Sequence, residues 1–133
     1  MPKLTPLQLE IRRTLAAKWE RQFEFHWQRL EGPKPRLVRQ AKIIPDRQFA
    51  FDFVFPDALV AVDLDGGTFG NRSGHNSGAG IERGYEKCNL AAAIGWCVLR
   101  FGTKRMARMD LVVREVLDVV RARSGVLTQG ATT

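Results

Sequence analysis

Three aspartates occupy positions where a buried strand would carry apolar side chains. Asp52 stands among phenylalanines in Phe49-Ala50-Phe51-Asp52-Phe53-Val54-Phe55, and Asp63 and Asp65 interrupt the valines and leucines of Leu59 to Asp65. Residues two apart on a strand project to one face with roughly 6.5–7 Å between them, so Asp63 and Asp65 share a space that Asp52 can join from a neighbouring strand. Carboxylates gathered without a cation raise one another's pKa. A hard divalent ion relieves that cost, and Mg²⁺ is commonly held by one or two carboxylates together with waters and a substrate phosphate. A structural reading competes with this one, since aspartates at a strand end also pair with arginine or cap a turn such as Gly66-Gly67. Soft-ligand metal chemistry is not indicated. His26, His75, Cys88 and Cys97 are the only imidazoles and thiols, and no CxxC or HxxxH spacing joins them.

Periodicity gives the elements that must position these acids. From Thr5 to Leu30, Leu7, Ile11, Leu15, Trp19, Phe23 and Trp27 recur at four-residue spacing and read as the buried stripe of a long helix. Thr5-Pro6 supplies a capping side chain and a proline at the first helical position, and Gly32-Pro33 stops the helix. Leu37 to Ile44 reads as a strand closed by Pro45-Asp46. In the strands Phe49 to Phe55 and Leu59 to Asp65, alternation sends all four phenylalanines to one face and Asp52 to the other. Val60, Val62 and Leu64 likewise oppose Ala61, Asp63 and Asp65. Short turns predict an antiparallel meander of the three strands. Gly66 to Gly80, with six glycines, reads as a loop. Ile81 to Ile94 reads as a helix that packs through Ile81, Tyr85, Cys88 and Ala92, with Gly95 as its left-handed terminator. Trp96 to Phe101 is then a strand reached by a crossover, hence parallel to its predecessor. Thr103 caps a last helix with Met106, Met109, Val113, Val116 and Val120 inside. The expected fold class is α/β on a mixed sheet, in the order α-β-β-β-α-β with an additional C-terminal helix. Residues 1–123 form a single domain and residues 124–133 a flexible tail.

Charge supplies a functional pointer. Lys and Arg number 21 against 14 Asp and Glu, a net charge of +7, and a basic surface concentrates polyanions such as nucleic acid. Fifteen of the 21 are arginine, whose planar fork suits phosphate. A chain of 133 residues with 44% hydrophobic residues fits one folded domain rather than a disordered chain. Leu90 to Leu99, the longest uncharged apolar stretch, has ten residues, and a membrane-spanning helix needs about 20. No apolar block follows Met1-Pro2-Lys3 and the two cysteines suit a reducing compartment, so the expected location is the cytoplasm, with no membrane partner.

Phe51-Asp52-Phe53, followed after one turn by Val62-Asp63-Leu64-Asp65-Gly66-Gly67, resembles motifs II and III of the PD-(D/E)XK nuclease superfamily. Farther on, Glu86-Lys87-Cys88-Asn89-Leu90-Ala91 and Gly95-Trp96-Cys97-Val98-Leu99-Arg100-Phe101 are similar to the EK-x-N-x-A helix and GW-x-V-x-R-F strand of phage and bacterial endonuclease domains. The likeness spans Glu20 to Phe101. It implies a restriction-endonuclease-like core and a Mg²⁺-dependent DNA endonuclease in which Mn²⁺ can substitute, with no small-molecule cofactor. The same resemblance implies that Asp52 and Asp63 ligate the metal, joined by the Leu64 backbone carbonyl. Glu20 matches the superfamily's first-helix acid, and Asp65 belongs with the catalytic acids. Lys87 resembles a migrated form of the signature lysine, whose usual place Asp65 holds. In the glycine loop Arg72 and His75 are candidates for contact with DNA, as are Arg39, Lys42, Lys104 and Arg105 elsewhere. Relatives commonly carry Glu in place of Asp63 and Asp65, and acids in place of Gln40 and Gly84. Among relatives of this size the preferred subclass is the phage-type Holliday junction resolvase, acting as a homodimer on branched DNA in the host cytoplasm. The phenylalanine face with its two long helices is the candidate dimer surface. The alternatives are a very-short-patch-type mismatch-nicking endonuclease, a DNA-binding relative that has lost catalysis and a toxin-like RNase.

Overall fold

In the computed structural model, which describes residues 3–66 and 77–132, the chain runs helix, three strands, helix, strand, helix. Helix α1 (Pro6–Gln28) opens with a capping box: the Thr5 hydroxyl accepts from the Gln8 N–H at 3.1 Å, and the Gln8 side chain accepts from the Thr5 N–H at 2.9 Å. Strands β1 (Val38–Ala41), β2 (Phe51–Phe55) and β3 (Val60–Asp65) make the expected antiparallel meander. Helix α2 (Ser77–Ala93) leads to β4 (Cys97–Gly102), which lies parallel to β3, so one mixed sheet has the order β1-β2-β3-β4. A helical turn, α3 (Thr103–Met106), precedes α4 (Met109–Thr132). No helix among the described residues is long and apolar enough to cross a membrane.

The sheet has two unlike faces. On one, α1 and α4 cover Phe53, Phe55, Val60, Val62 and Leu64, with Phe23 stacked on Phe53 at 4.5 Å and Trp27 tilted against Phe55 at 5.1 Å between centroids. Each fully buried aromatic of this kind contributes about 2–3 kcal/mol through the apolar surface it removes from water. The other face holds a smaller cluster of Ile44, Phe51, Val54, Ala61 and Ala91. It is thin because the β3 residues that follow Ala61 on that side are acids.

Several sequence expectations are revised. Only Phe23 and Trp27 of the α1 stripe are buried, while Leu7 and Ile11 are 70% and 40% exposed. At about 100° per residue a strict four-residue repeat advances some 40° per step, so Leu7 points roughly 160° away from Trp27. The 23-residue helix is also about 35 Å long and outruns the sheet, so its first turns project into solvent. Phe51 does not share a face with Phe53 and packs in the smaller cluster. Phe51, Phe53 and Phe55 are at most 1% exposed, so the phenylalanine face is covered within the chain and is not a dimer surface. Strand β1 ends at Ala41 rather than Ile44, because Gln40 takes a left-handed φ of 47° and the chain then bends Ile44 into the smaller cluster.

Helix α2 starts at Ser77, four residues before Ile81, and its sheet-facing side carries Gly84, Lys87, Cys88 and Ala91. Ile81 and Tyr85 are exposed, since the surface beneath this helix is polar and accepts a lysine in their stead. Gly95, at φ 92°, ends the helix as expected, and Trp96 N–H closes back on the Ala91 carbonyl at 3.0 Å. Thr103 is itself helical and provides no cap. The helical turn it opens gives way at Ala107 and Arg108, although Met106, Met109, Val113, Val116 and Val120 are buried as expected. Residues 124–132, expected as a tail, continue α4 in backbone conformation, its glycines, Gly125 and Gly130, each costing a helix only about 1 kcal/mol.

Candidate active site where two strands part

Strands β2 and β3 pair at Phe55↔Val60, Val54↔Ala61 and Phe53↔Val62. The next positions are Asp52 and Asp63, and there side-chain oxygens take over from the backbone ladder. Asp52 N–H donates to Asp63 Oδ1 at 3.2 Å, and Leu64 N–H donates to Asp52 Oδ2 at 2.8 Å. Backbone donors at a buried strand end need partners, so this exchange fixes both carboxylates while it satisfies the parting strands. Lys87, brought in by the sheet-facing side of α2, donates from Nζ to Asp63 Oδ2 at 2.5 Å. The two side chains are only 16% and 13% exposed, and the ammonium also lies 4.2 Å from the centroid of the Phe51 ring. An inward lysine thus finds both an anion and an aromatic face. The fourth member comes from α1. Gln40 Nε2 donates to Glu20 Oε1 at 2.5 Å and to Asp52 Oδ1 at 3.1 Å, so one amide bridges the two acids. The left-handed backbone at Gln40 costs roughly 1–2 kcal/mol, which two charge-assisted bonds offset.

Burial pushes the Asp52 carboxyl up from 3.8 to about 6, and the charges of Asp63 and Glu20 push the same way, against the bonds from Leu64 N–H and Gln40. Asp63 has Lys87 as its counter-charge. Among the described residues Asp52 has only neutral donors, so these residues bring no positive charge to that side of the site. The donor set suits a hard cation: two carboxylates, with the Leu64 carbonyl beside them, which accepts from Gly66 N–H at 3.1 Å and retains a second lone pair. Among the described residues no three carboxylate, imidazole or thiolate groups gather into a ready-made cage. Mg²⁺ does not require one, because waters and substrate phosphate complete its octahedron. The residues present fit the ion.

No protein-family model, curated protein or solved structure matches this chain.

The structure brings Glu20, Asp52, Asp63, Leu64 and Lys87 together and leaves other expected residues elsewhere. Asp65 is exposed and pairs with Arg100 at 3.3 Å, with no hydrogen bond to the cluster, which is the structural role weighed for it from sequence. Arg39 is held by Glu24 at 2.7 Å and Arg105 by Glu115 at 2.9 Å, and Lys42 donates to Gln48 at 2.8 Å. Lys104 is exposed and makes no ion pair among the described residues. Arg72 and His75 lie outside the described residues. Gln40 stood out in sequence only as a departure from an acid, although the antiparallel register places it opposite Asp52. That register was the signal available to find it. Gly84 has a physical reason as well: a side chain there would begin 3.1 Å from Arg100 Nη1, in the space the Asp65 partner occupies.

Proposed function

We propose that this chain is a Mg²⁺-dependent DNA endonuclease with a PD-(D/E)XK-type core, of the kind that resolves four-way junctions as a homodimer. The observation that carries the proposal is the interlock of Asp52 and Asp63 at the parting of β2 and β3, with Lys87 on the outer oxygen of Asp63. Hydrolysis of a phosphodiester by in-line attack of water needs charge neutralisation at the phosphate and an oriented nucleophile. Asp52, Asp63 and the Leu64 carbonyl would hold Mg²⁺, which supplies that neutralisation when bound. Lys87 Nζ has three donors and spends one on Asp63. The others can turn to a phosphate oxygen or the attacking water. Gln40 keeps Asp52 and Glu20 in fixed relation, so that neither carboxylate swings away from the reacting phosphate. The net charge of +7 suits a polyanionic substrate.

Paired cuts across a junction call for two-fold symmetry, which a homodimer supplies. The test is incubation with labelled four-way junction, mismatched duplex, linear duplex, single-stranded DNA and RNA, with Mg²⁺ or EDTA, beside light scattering. Mg²⁺-dependent junction cleavage by a dimer is expected. Preference for the mismatch would select the nicking alternative, RNA cleavage the RNase alternative, and tight DNA binding without cleavage the inactive relative.

A further inference from the structure

Among the described residues, a third of this chain's 21 cationic side chains are ion-paired, Lys87 included. Arg36, Arg39, Arg47, Arg100, Arg105 and Arg108 each pair with an aspartate or glutamate. Arg12 and Arg13 do not: both are exposed on the projecting half of α1 and make no ion pair among the described residues. With Ala16 of the same helix and Leu64, Asp65 and Gly66 of the opposite wall, they line a groove of about 330 Å³. That wall is the end of β3, where Leu64 N–H holds Asp52 Oδ2. Trp19 brings the helix close, since a Cβ built on Gly66 would stand 2.3 Å from Trp19 Nε1.

The groove leads to the acids. Seven residues separate Arg13 from Glu20, about 10 Å along the helix and within some 20° of two full turns, so both project from one side of α1. Glu20 is bridged through Gln40 to Asp52. Arg13 thus stands upstream of the cluster on the side of α1 that carries Glu20, with Arg12 next to it about 100° around the helix, and neither guanidinium has an ion pair among the described residues. Guanidinium binds phosphate with paired, planar hydrogen bonds.

We propose that this groove seats the phosphodiester backbone of the DNA strand to be cut, with Arg12 and Arg13 each holding a phosphate that flanks the scissile one. The projecting turns of α1, which contribute nothing to the core, then have a function. The inference rests on the endonuclease reading for its substrate, but binding can be measured without cleavage.

The test is fluorescence anisotropy with labelled DNA in EDTA across a salt series. It compares the wild type, the double variant Arg12→Ala/Arg13→Ala, and Arg114→Ala/Arg121→Ala, which removes two charges from α4 well away from the groove. Each phosphate contact contributes a slope of about −0.9 in log K against log salt, so losing two flattens the slope by nearly 2. At 0.1 M salt this corresponds to a Kd on the order of tenfold to a hundredfold higher. The α4 variant should keep the wild-type slope. Unchanged slope and affinity in the α1 variant would overturn the proposal, as would an equal loss in both variants, which would mean a general charge effect. Thermal unfolding serves as the folding check, since alanine is a good helix former at these exposed sites. If the α1 variant loses binding but the wild type cuts nothing with Mg²⁺, the endonuclease reading fails and the groove stands. If the wild type cuts and the α1 variant binds and cuts as well as it does, the groove alone falls.

Discussion

Asp52→Asn should change how the stability of the metal-free protein depends on pH. The Asp52 carboxyl titrates near 6 in the folded chain and at 3.8 as an isolated side chain, chiefly because burial disfavours its charge. A carboxyl raised by folding stabilises the fold fully below its unfolded value, and that contribution fades as pH climbs through the folded value. The window is therefore about pH 4 to 7. At 1.36 kcal/mol per pKa unit, the wild type should lose about 2 kcal/mol more stability than the variant between pH 4 and pH 7.5. Asparagine retains an oxygen for Leu64 N–H but presents an amide to Gln40, which disturbs the bridge to Glu20. That disturbance shifts the variant's stability by an amount nearly independent of pH across this window, so the quantity to read is the slope. Urea unfolding of both proteins at several pH values in EDTA measures it. Mg²⁺ at 100 times its Kd should restore about 2.7 kcal/mol to the wild type at pH 7.5 and little to the variant. Parallel pH profiles for the two proteins, with or without Mg²⁺, would show that folding leaves the Asp52 carboxyl unshifted.

Lys87→Met should leave the Asp63 carboxylate, 13% exposed, without its counter-charge. The expected loss is about 2–3 kcal/mol in EDTA, largely recovered with Mg²⁺, and about a hundredfold in cleavage rate, checked by unfolding and single-turnover assays. Equal stability and rate would place Lys87 outside the site. Gly66→Ala should cost about 1–3 kcal/mol and weaken cleavage, because its methyl carbon would meet the Trp19 indole at 2.3 Å and drive α1 away from β3. Calorimetry checks the first effect, and wild-type stability would show that α1 yields freely.

Strand alternation made much of this fold and site legible, because β3 obeys it throughout: Val60, Val62 and Leu64 enter the large core and Ala61 enters the other cluster. Two of the failures share a cause, which is that polar neighbours redirect local pattern. Phe51 leaves the phenylalanine face just where Asp52 and Asp63 replace backbone partners with side chains. Helix α2 turns Lys87 rather than Tyr85 inward because the acids and Arg100 lie beneath it. Neither rotation is visible in hydrophobic periodicity, which assumes an apolar surface opposite each helix. The bridge through Gln40 required the β1–β2 register and a left-handed residue that nothing in its side chain announces. For Asp65 the two sequence readings could be separated only by knowing the β3–β4 register, which pairs Asp65 with Gly102 and sets Arg100 two residues earlier on that strand, within reach of the Asp65 carboxylate.

Whether Asp63 belongs to a metal-dependent nuclease site is decided by cleavage of a labelled four-way junction by Asp63→Asn, with Mg²⁺ and beside the wild type. Asparagine at this position removes a proposed metal ligand and the anionic partner of Lys87 together. Cleavage should fall by at least about a hundredfold while junction affinity in EDTA stays the same or rises, since a negative charge beside phosphate is gone. Full Mg²⁺-dependent cleavage by this variant would remove Asp63 from the reaction.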